Sequence, residues 1–147
     1  MSIIAKEELI PGDHIYTWRR GILYTHHGIY IGNNKVIHLS GSEENEKINP
    51  TVKETSLEYF LRGGTLKRIE YSQRLDRNET LRITNNSLHD TTYNILFYNC
   101  EHFATYCASG RNESSQSKRF FAGLILVTAA ITALFVIDNE RRHQNNI

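Results

Sequence analysis

The sequence predicts an α+β fold in which a small antiparallel sheet packs against the helix that carries Cys100. Residues up to about 72 are dense in β-forming and turn-forming residue types. After Asn99 the apolar residues follow a helical period, and a longer apolar run lies near the C-terminus. We therefore expect a catalytic domain over residues 1–110, a linker over 111–119, a hydrophobic membrane-anchoring helix over 120–137 and a polar tail over 138–147.

The size and charge of the chain suit one domain and give no support to nucleic-acid binding. Its 147 residues are enough to bury a core of moderate size. The 17 Lys and Arg residues and 16 Asp and Glu residues leave a net charge of +1, so no global field attracts a polyanion. The first residues also lack the apolar run that opens a secretory signal peptide. We expect neither a nucleic-acid partner nor a signal peptide.

The two cysteines, Cys100 and Cys107, predict free thiols. They lie seven residues apart in one candidate helix, which separates their Cα atoms by roughly 10 Å. A disulfide requires a separation under about 7 Å, so these two cannot bridge each other. This fits a reducing compartment, in which a cysteine is either catalytic or simply buried.

The first 40 residues predict strands joined by tight turns. Pro11-Gly12-Asp13 is a turn that precedes a strand over residues 14–18. Two further strands, over residues 28–31 and 35–39, flank Gly32-Asn33-Asn34, which is a hairpin signal. These elements predict an antiparallel arrangement.

The next fifty residues predict a loop, a short helix and one more strand. Residues 40–55 are polar and charged, and we expect an exposed loop there. Thr55-Ser56-Leu57-Glu58 is a capping box that opens a short helix, and Gly63-Gly64 closes it. Residues 65–71 return to strand character, whereas residues 73–92 give no clear prediction.

The segment after Asn99 predicts a helix that begins at a cysteine. Asn99 is a good N-cap, and Gly110 is a plausible C-terminal stop. The apolar residues between them repeat with helical spacing at Cys100, Phe103, Ala104 and Cys107. The thiol of Cys100 therefore lies in the first helical turn.

The apolar run over residues 120–137 predicts a membrane helix. Its 18 residues carry no charge and reach about 27 Å as a helix, which just crosses a hydrocarbon core. The alternative is a buried helix of a soluble fold. Lys118 and Arg119 precede the run, which favours a membrane-associated protein whose catalytic domain faces the cytosol. A plastid address is left open.

Cys100 and several histidines predict a thiol nucleophile. A thiolate is stabilised by the positive end of a helix dipole and by a nearby imidazole. The candidate imidazoles are His26, His27 and His38. Because His26 and His27 are adjacent in a strand, they point to opposite faces, and alternation alone does not identify the base. The residues permit a Cys–His–His arrangement.

The remaining histidines and the second cysteine predict structural or surface roles. Cys107 is expected to be structural, and His14, His89 and His143 are expected to lie on the surface or in turns. His102 could join Cys100 in a zinc site, but their spacing is tighter than that of paired zinc ligands. We expect no metal and no cofactor.

Four segments resemble the lecithin:retinol acyltransferase-like family, within the NlpC-type papain-like superfamily. They are PGDHIYTWRR, THHGIYIG, KVIHL and FYNCEHFATYCASG, and they run in family order through most of residues 9–110. These motifs and the segment FLRGGTLKRIEY are most similar to the plant branch of the family. The resemblance implies a permuted papain-like fold, in which the histidines precede the cysteine.

The resemblance also implies roles for individual residues. The family nucleophile falls on Cys100, the general base on His26, and the second family histidine, which orients the base, on His38. Tyr24 or an arginine of the Arg19-Arg20 pair is a looser match for a group that polarises the substrate carbonyl.

The implied reaction is acyl transfer. The thiol attacks a glycerophospholipid ester at sn-1 or sn-2, and an acyl thioester forms. An amine, an alcohol, a lysophospholipid or water then accepts the acyl group, and no cofactor takes part. The alternatives are a membrane-anchored regulatory or scaffold protein with little turnover, and a peptidase that uses the same cysteine and histidine chemistry.

Overall fold

The computed structural model describes residues 2–19, 24–41, 50–91 and 100–111. Asn99, the apolar run over 120–137 and the tail over 138–147 lie outside the described residues. Of the predicted linker over 111–119, only residue 111 is described. No helix within the described ranges is long and apolar enough to cross a membrane.

The described residues form an α+β domain around one antiparallel sheet, which confirms the predicted α+β class. The strands are β1 (Ser2–Ile3), β2 (His14–Arg19), β3 (Tyr24–Gly32), β4 (Lys35–Ser40), β5 (Thr51–Ser56) and β6 (Lys67–Arg68). The helices are α1 (Leu57–Leu61), α2 (Arg77–Asn86) and α3 (Cys100–Ser109). The strand order is β1-β6-β2-β3-β4-β5.

The central hairpin forms as the turn residues predict. Strands β3 and β4 pair around Asn33 and Asn34, whose φ angles are 50° and 57°. Gly32 also has a positive φ of 96°, a conformation that glycine adopts without steric cost. Asparagine tolerates the left-handed region better than most residues, so Gly32-Asn33-Asn34 suits this reversal of the chain.

The predicted loop over residues 40–55 is wrong at its C-terminal end. Thr51–Ser56 forms β5, which pairs with β4 from Lys35–Ser56 to Ser40–Thr51. Val52 is fully buried and supplies the apolar contact that this polar segment otherwise lacks. The strand predicted over residues 65–71 is also shorter in the structure, where only Lys67–Arg68 forms a strand.

The N-cap of helix α1 is one residue later than the capping box predicted, at Ser56 in place of Thr55. The Ser56 hydroxyl accepts a hydrogen bond from the Tyr59 N–H at 3.1 Å, so Ser56 is the N-cap. The helix ends at Arg62 and Gly63, which both have positive φ, as the predicted glycine stop requires. Thr55 is thereby released from capping and is available to another partner.

The two faces of the sheet bury separate apolar clusters. The α3 face gathers Ile29, Ile37, Leu39 and Val52 against Phe103, Ala104, Cys107 and Ala108 of α3. The α1 face gathers Ile15 and Val36 against Leu57, Phe60 and Leu61. Because strand residues alternate between faces, β4 contributes to both clusters, with Ile37 and Leu39 on the α3 face and Val36 on the α1 face.

A buried carboxylate joins the start of β2 to the C-terminal half of the domain. Asp13 is only 1% exposed, and its Oδ1 lies 2.8 Å from a guanidinium nitrogen of Arg77 at the start of α2. Arg68 of β6 approaches its Oδ2 at 3.4 Å, and the Ile10 N–H donates to the same oxygen at 3.0 Å. The Asp13 carboxylate thus forms ion pairs with arginines of β6 and α2, two elements that are distant from it in sequence.

We predict that Asp13→Asn lowers the free energy of unfolding by about 3 kcal/mol, because the arginines lose the charge that compensates their partial burial. Urea denaturation measures this change. Glu79→Gln is the matched control, since the Glu79–Arg82 ion pair lies on the exposed face of α2. A midpoint for Asp13→Asn equal to that of the control would contradict the prediction.

Candidate active site

Adjacent histidines of β3 lie on opposite faces of the sheet. The His26 ring packs against Phe60 of α1, with ring centroids 5.2 Å apart. The His27 ring stacks on Tyr16 of β2 at 5.3 Å, on the face covered by α3. The alternation expected from the sequence is therefore present, and each histidine belongs to a separate hydrogen-bonded chain.

The first chain links His26 to a second histidine and to a threonine. His26 Nε2 lies 2.8 Å from His38 Nδ1, and His38 Nε2 lies 2.9 Å from the Thr55 hydroxyl oxygen. Thr55 sits in this position because Ser56, not Thr55, caps α1. No sequence pattern indicated this role, since the capping box assigned Thr55 to the helix.

The Thr55 hydroxyl sets the direction of the proton donors in this chain. The contacts are consistent with the hydroxyl donating to the Ser56 carbonyl, 3.4 Å away, and accepting from His38 Nε2–H. In that arrangement His38 Nδ1 accepts the proton of His26 Nε2. The neutral His26 ring then has Nδ1 as its acceptor atom, which is the arrangement that a general base requires.

The lack of a side chain at Gly28 of β3 allows the His26–His38–Thr55 chain to form. A Cβ atom on Gly28 would lie 2.7 Å from Val36 Cγ1 and 3.0 Å from both His38 Cβ and Phe60 Cε2. Such contacts are too short for carbon atoms, so a side chain here would displace His38 or the Phe60 ring. Gly28 lets α1 and β4 approach β3 beside His26.

Cys100 reaches the sheet beside Thr25 of β3. The ladder between β3 and β4 runs from Ile29–Ile37 to Gly32–Lys35 and does not include Thr25. The Tyr30 N–H and C=O both bond to the chain that leads into β2, so odd-numbered residues of β3 direct their backbone groups toward β4. The Thr25 carbonyl therefore points toward the β4 side of β3, and its oxygen lies 3.7 Å from Cys100 Sγ.

The structure thus brings Cys100 to the segment of β3 that contains both candidate bases. Cys100 begins α3, and its thiol contacts the residue that immediately precedes His26. Among the described residues, the hydrogen bonds of His26 use only Nε2, whereas those of His27 use both ring nitrogens. This difference favours His26 as the acceptor of the thiol proton.

The second chain lies on the α3 face and includes a histidine that the sequence analysis placed wrongly. His27 Nδ1 is 2.8 Å from His14 Nε2, and His14 Nδ1 is 2.6 Å from the Tyr71 hydroxyl. His14 was expected on the surface or in a turn, but it is buried in β2. Both faces of β2 are covered, so neighbouring residues such as His14 and Ile15 are both buried. The sequence therefore shows no polar–apolar alternation that would have revealed the burial of His14.

Other residues singled out in the sequence have separate positions. Arg19 is buried and donates hydrogen bonds to the Phe60 and Leu61 carbonyls at the end of α1, so it supports that helix. Cys107 is a core residue of α3, as expected, and burial raises the pKa of its thiol to about 12. His89 is exposed in a turn, as predicted.

Burial dominates the acid–base properties of the three central histidines. It lowers the pKa of His26 well below 6.5, and Arg19 is the next largest cause. It also lowers the pKa of His14 well below 6.5, with the charge of His27 adding to the shift. The pKa of His27 is lowered to about 4, although the Glu101 carboxylate opposes the shift. All three rings are neutral in the folded protein near pH 7.

A cysteine in the first turn of a helix, beside a histidine chain on an antiparallel sheet, defines a candidate thiol-dependent site. A sequence model of the lecithin retinol acyltransferase family matches residues 7–113. The chain belongs to this family, which confirms the resemblance carried by its motifs.

The relatives of the chain include plant and animal proteins. Protein LEAD-SENSITIVE 1 of Arabidopsis thaliana is 32% identical over 152 residues, covering 71% of this chain and 59% of the relative. Lecithin retinol acyltransferase of Mus musculus is 29% identical and covers 67% and 54%. Phospholipase A and acyltransferase 1 of Homo sapiens is 28% identical and covers 82% and 80%. The chain spans less than two thirds of the length of the first two relatives.

We predict that acidification destabilises the fold through these histidines. An unfolded histidine takes up a proton near pH 6.5, whereas His14, His26 and His27 resist protonation when folded. Their contribution is complete above pH 6.5 and is lost as the pH falls, which for His27 continues to about 4. Between its folded and unfolded pKa values, each histidine lowers the free energy of unfolding by about 1.4 kcal/mol for each unit by which the pH falls.

Urea denaturation across the range from about pH 7.5 to about pH 4.5 measures this slope. The variant His27→Phe should reduce the slope even though it lowers stability at neutral pH. The exposed His89→Gln is the control and should leave the slope unchanged. A free energy of unfolding that stays constant across this range would contradict the prediction.

Proposed function

We propose that this protein is a thiol-dependent acyltransferase or phospholipase A that acts on glycerophospholipid esters. The single observation that carries the proposal is the His26–His38–Thr55 chain beside the part of β3 that the Cys100 thiol contacts. Membership of the family, and the names of the mouse and human relatives, support this choice of reaction. The order His26, His38, Cys100 along the chain also supports a permuted papain-like arrangement.

In the proposed first half-reaction, the sulfur of Cys100 attacks the ester carbonyl carbon while Nδ1 of His26 takes the thiol proton. The tetrahedral intermediate then collapses to an acyl thioester. The lysophospholipid leaves as an alcohol after it takes the proton back from His26. His38 orients the His26 ring throughout, because His26 Nε2 keeps donating to His38 Nδ1 in both protonation states.

In the second half-reaction, an amine, an alcohol, a lysophospholipid or water attacks the thioester. His26 removes the proton of this acceptor and returns it to the sulfur, which restores the free thiol. The developing oxyanion would be met by backbone N–H groups at the start of α3, where the helix dipole favours negative charge. No cofactor is needed in either half.

The low pKa of His26 favours general-base catalysis over a resting thiolate–imidazolium pair. Burial and the cations Arg19, Arg62 and Lys53 all disfavour the protonated ring. Proton transfer from the thiol to His26 therefore accompanies attack on the carbonyl in the proposed mechanism. This distinguishes the site from one in which a carboxylate stabilises the imidazolium.

A membrane location is part of the proposal. The apolar segment over residues 120–137 would hold the catalytic domain at a bilayer, where its phospholipid substrate lies. We propose that the domain faces the cytosol, in line with the basic pair Lys118 and Arg119 on the domain side of the segment.

A regulatory or scaffold role is the second candidate function. The Arabidopsis relative, at 32% identity, is named for sensitivity to lead and not for a reaction. A protein of this kind would retain the fold for partner binding and would show little turnover. The thioester experiment separates the two candidates.

We predict that incubation with diacyl phosphatidylcholine adds one acyl chain to the detergent-solubilised full chain, and that hydroxylamine removes it. Intact-mass spectrometry measures the adduct. Cys100→Ala should abolish it, whereas Cys107→Ala should retain it, because Cys107 is a buried thiol of the same helix with a raised pKa. An adduct on Cys100→Ala would place the nucleophile elsewhere. If no lipid class yields an adduct, released fatty acid or lysolipid, the scaffold role is favoured.

We also predict a graded loss of activity along the histidine chain. His26→Gln should lower kcat/KM by about 10²- to 10⁴-fold, as for removal of a general base. His38→Gln should cost less, and Thr55→Val less again, while Thr55→Ser keeps the hydroxyl and most of the activity. Equal activity for His26→Gln and the wild type would exclude His26 as the base.

The pH dependence of kcat/KM tests the protonation state of the base. Protonation of His26 removes the nitrogen that would accept the thiol proton. Because burial lowers the pKa of His26, this protonation takes place below the ordinary value of 6.5. Activity should therefore persist from pH 7 to below 6.5 before the acidic limb begins. An acidic limb centred at or above 6.5 would show that His26 is protonated more easily than its burial implies.

A further inference from the structure

One aromatic side chain packs against both histidines of the proposed site. Phe60 of α1 is fully buried, and its ring centroid lies 5.2 Å from that of His26 and 5.3 Å from that of His38. The two imidazole rings have centroids 4.8 Å apart and are nearly perpendicular, at 86°. We call His26 and His38 the imidazole pair. Because Phe60 contacts both members, its position constrains the geometry of the hydrogen bond between them.

The packing around these three rings is tight on the β3 side. A Cβ atom on Gly28 would lie 3.0 Å from both Phe60 Cε2 and His38 Cβ, so both side chains lie directly on the β3 backbone. Side chains packed at interior density cannot move independently of their neighbours. A displacement of Phe60 therefore displaces an imidazole, and whatever fixes Phe60 also fixes the proposed base.

Helix α1, which carries Phe60, depends on contacts at its two ends. It comprises only Leu57–Leu61, and an isolated helix of this length is unstable in water. At the N-terminal end the Ser56 hydroxyl caps the helix, and the Leu57 N–H donates to the Asn34 carbonyl at 2.7 Å. Phe60 lies at the opposite end, so its position depends on the contacts made there.

Arg19 of β2 makes contacts at that end. Its guanidinium donates hydrogen bonds to the Phe60 carbonyl and, at 3.0 Å, to the Leu61 carbonyl. Hydrogen bonds from a charged donor are stronger than neutral ones, and the planar guanidinium suits a contact with two acceptors. The guanidinium carbon also lies 6.0 Å from the centroid of the Phe60 ring. One buried arginine thus contacts both the backbone and the ring of the residue that packs on the imidazole pair.

Arg19 also acts on His26 through its charge. Burial is the largest cause of the lowered pKa of His26, and the Arg19 guanidinium is the next. The other charged or titratable groups that act on His26 or contact it, from β5, the end of α1, β3 and β4, are Lys53, Arg62, His27 and His38. Arg19 therefore has a geometric effect and an electrostatic effect, which substitutions can separate.

We propose that Arg19 is a positioning residue for the base: through the C-terminal end of α1 it holds Phe60 against the imidazole pair. In its effect on turnover this inference rests on the proposed function. Its effect on the hydrogen bond between the two imidazoles does not, because that bond joins two side chains of the protein itself.

The test uses substitutions that separate the geometry of Arg19 from its charge. Arg19→Lys keeps a positive charge but lacks the planar fork that donates to two carbonyls. Arg19→Met removes both the charge and the donors, and Phe60→Leu removes the ring that contacts the imidazole pair. Arg74→Met is the matched control, because Arg74 is another partly buried arginine that donates to a backbone carbonyl, that of Gly12 at 2.7 Å.

The first readout needs no substrate. In the detergent-solubilised full chain, labelled isotopically at the histidine nitrogens, NMR detects the imidazole N–H proton between His26 and His38 and its rate of exchange with water. The variant His26→Gln identifies this signal, because it removes one of the two rings. We expect faster exchange in Arg19→Lys, Arg19→Met and Phe60→Leu, because a displaced Phe60 ring exposes the hydrogen bond to water. Arg74→Met should match the wild type.

The second readout is the pH dependence of kcat and KM with diacyl phosphatidylcholine. Arg19→Lys and Phe60→Leu should each lower kcat by about tenfold or more with KM nearly unchanged, because small displacements of a reacting group have effects of this size. Arg19→Met should show the same loss and, in addition, an acidic limb shifted to higher pH. The shift follows because removal of a nearby cation raises the pKa of His26. Arg19→Lys should keep the acidic limb of the wild type.

The double variant Arg19→Lys, Phe60→Leu decides whether Arg19 acts through Phe60. Its kcat should be no lower than that of the poorer single variant, because both changes disturb one connection. Losses that multiply would mean that Arg19 acts independently of Phe60 and would overturn the inference. Wild-type exchange of the imidazole proton in Arg19→Lys would overturn it as well, and so would an unshifted acidic limb in Arg19→Met.

The two proposals fail in different ways. If the wild type shows no turnover on any phospholipid, the proposed function fails, while the exchange of the imidazole proton still tests the role of Arg19. If turnover is present but Arg19→Lys changes only KM, the positioning role is wrong and the proposed function stands. Circular dichroism of each variant shows whether a loss reflects unfolding. If Arg19→Met does not fold, Arg19→Lys and Phe60→Leu still decide the outcome.

Discussion

The contact between the Cys100 thiol and β3 is the interaction on which the rest of the site depends. A thiol at the end of a helix that covers one face of a sheet cannot easily meet a histidine on the other face. Here the Cys100 thiol lies 3.7 Å from the Thr25 carbonyl, on the part of β3 that precedes its ladder with β4. The thiol therefore contacts the strand level with the residue before His26.

Hydrogen bonds between histidines connect β3 to its neighbouring strands on both faces of the sheet. On the α1 face, the His26–His38 hydrogen bond joins β3 to β4. On the α3 face, His27 and His14 join β3 to β2. Neutral imidazoles suit this task because each offers one donor and one acceptor and can lie within a core. The same burial makes the fold sensitive to acid, so the support and the pH dependence have one origin.

The sequence predicted the parts of the fold that depend on local chemistry. Turn residues at Gly32-Asn33-Asn34 and the helical period after Cys100 predicted the central hairpin and α3 correctly. Strand β5 was missed because its stability comes from pairing with β4 and not from its polar residues. His14 was misplaced because burial of both faces leaves no alternation to read. The choice of His26 over His27 came from family resemblance, and the hydrogen bonds that favour it involve residues far apart in sequence.

The terminal group of the histidine chain determines how the proposed nucleophile is activated. A carboxylate at this position would stabilise an imidazolium and favour a resting ion pair with the thiol. Thr55 instead supplies a neutral hydroxyl, which accepts from His38 and cannot hold a compensating charge. The cations around His26 act in the same sense and keep its pKa low. In the proposed reaction the chain therefore orients His26 as a neutral base, and no partner in the chain compensates the charge of an imidazolium. It follows that proton transfer from the thiol would accompany attack on the ester carbonyl.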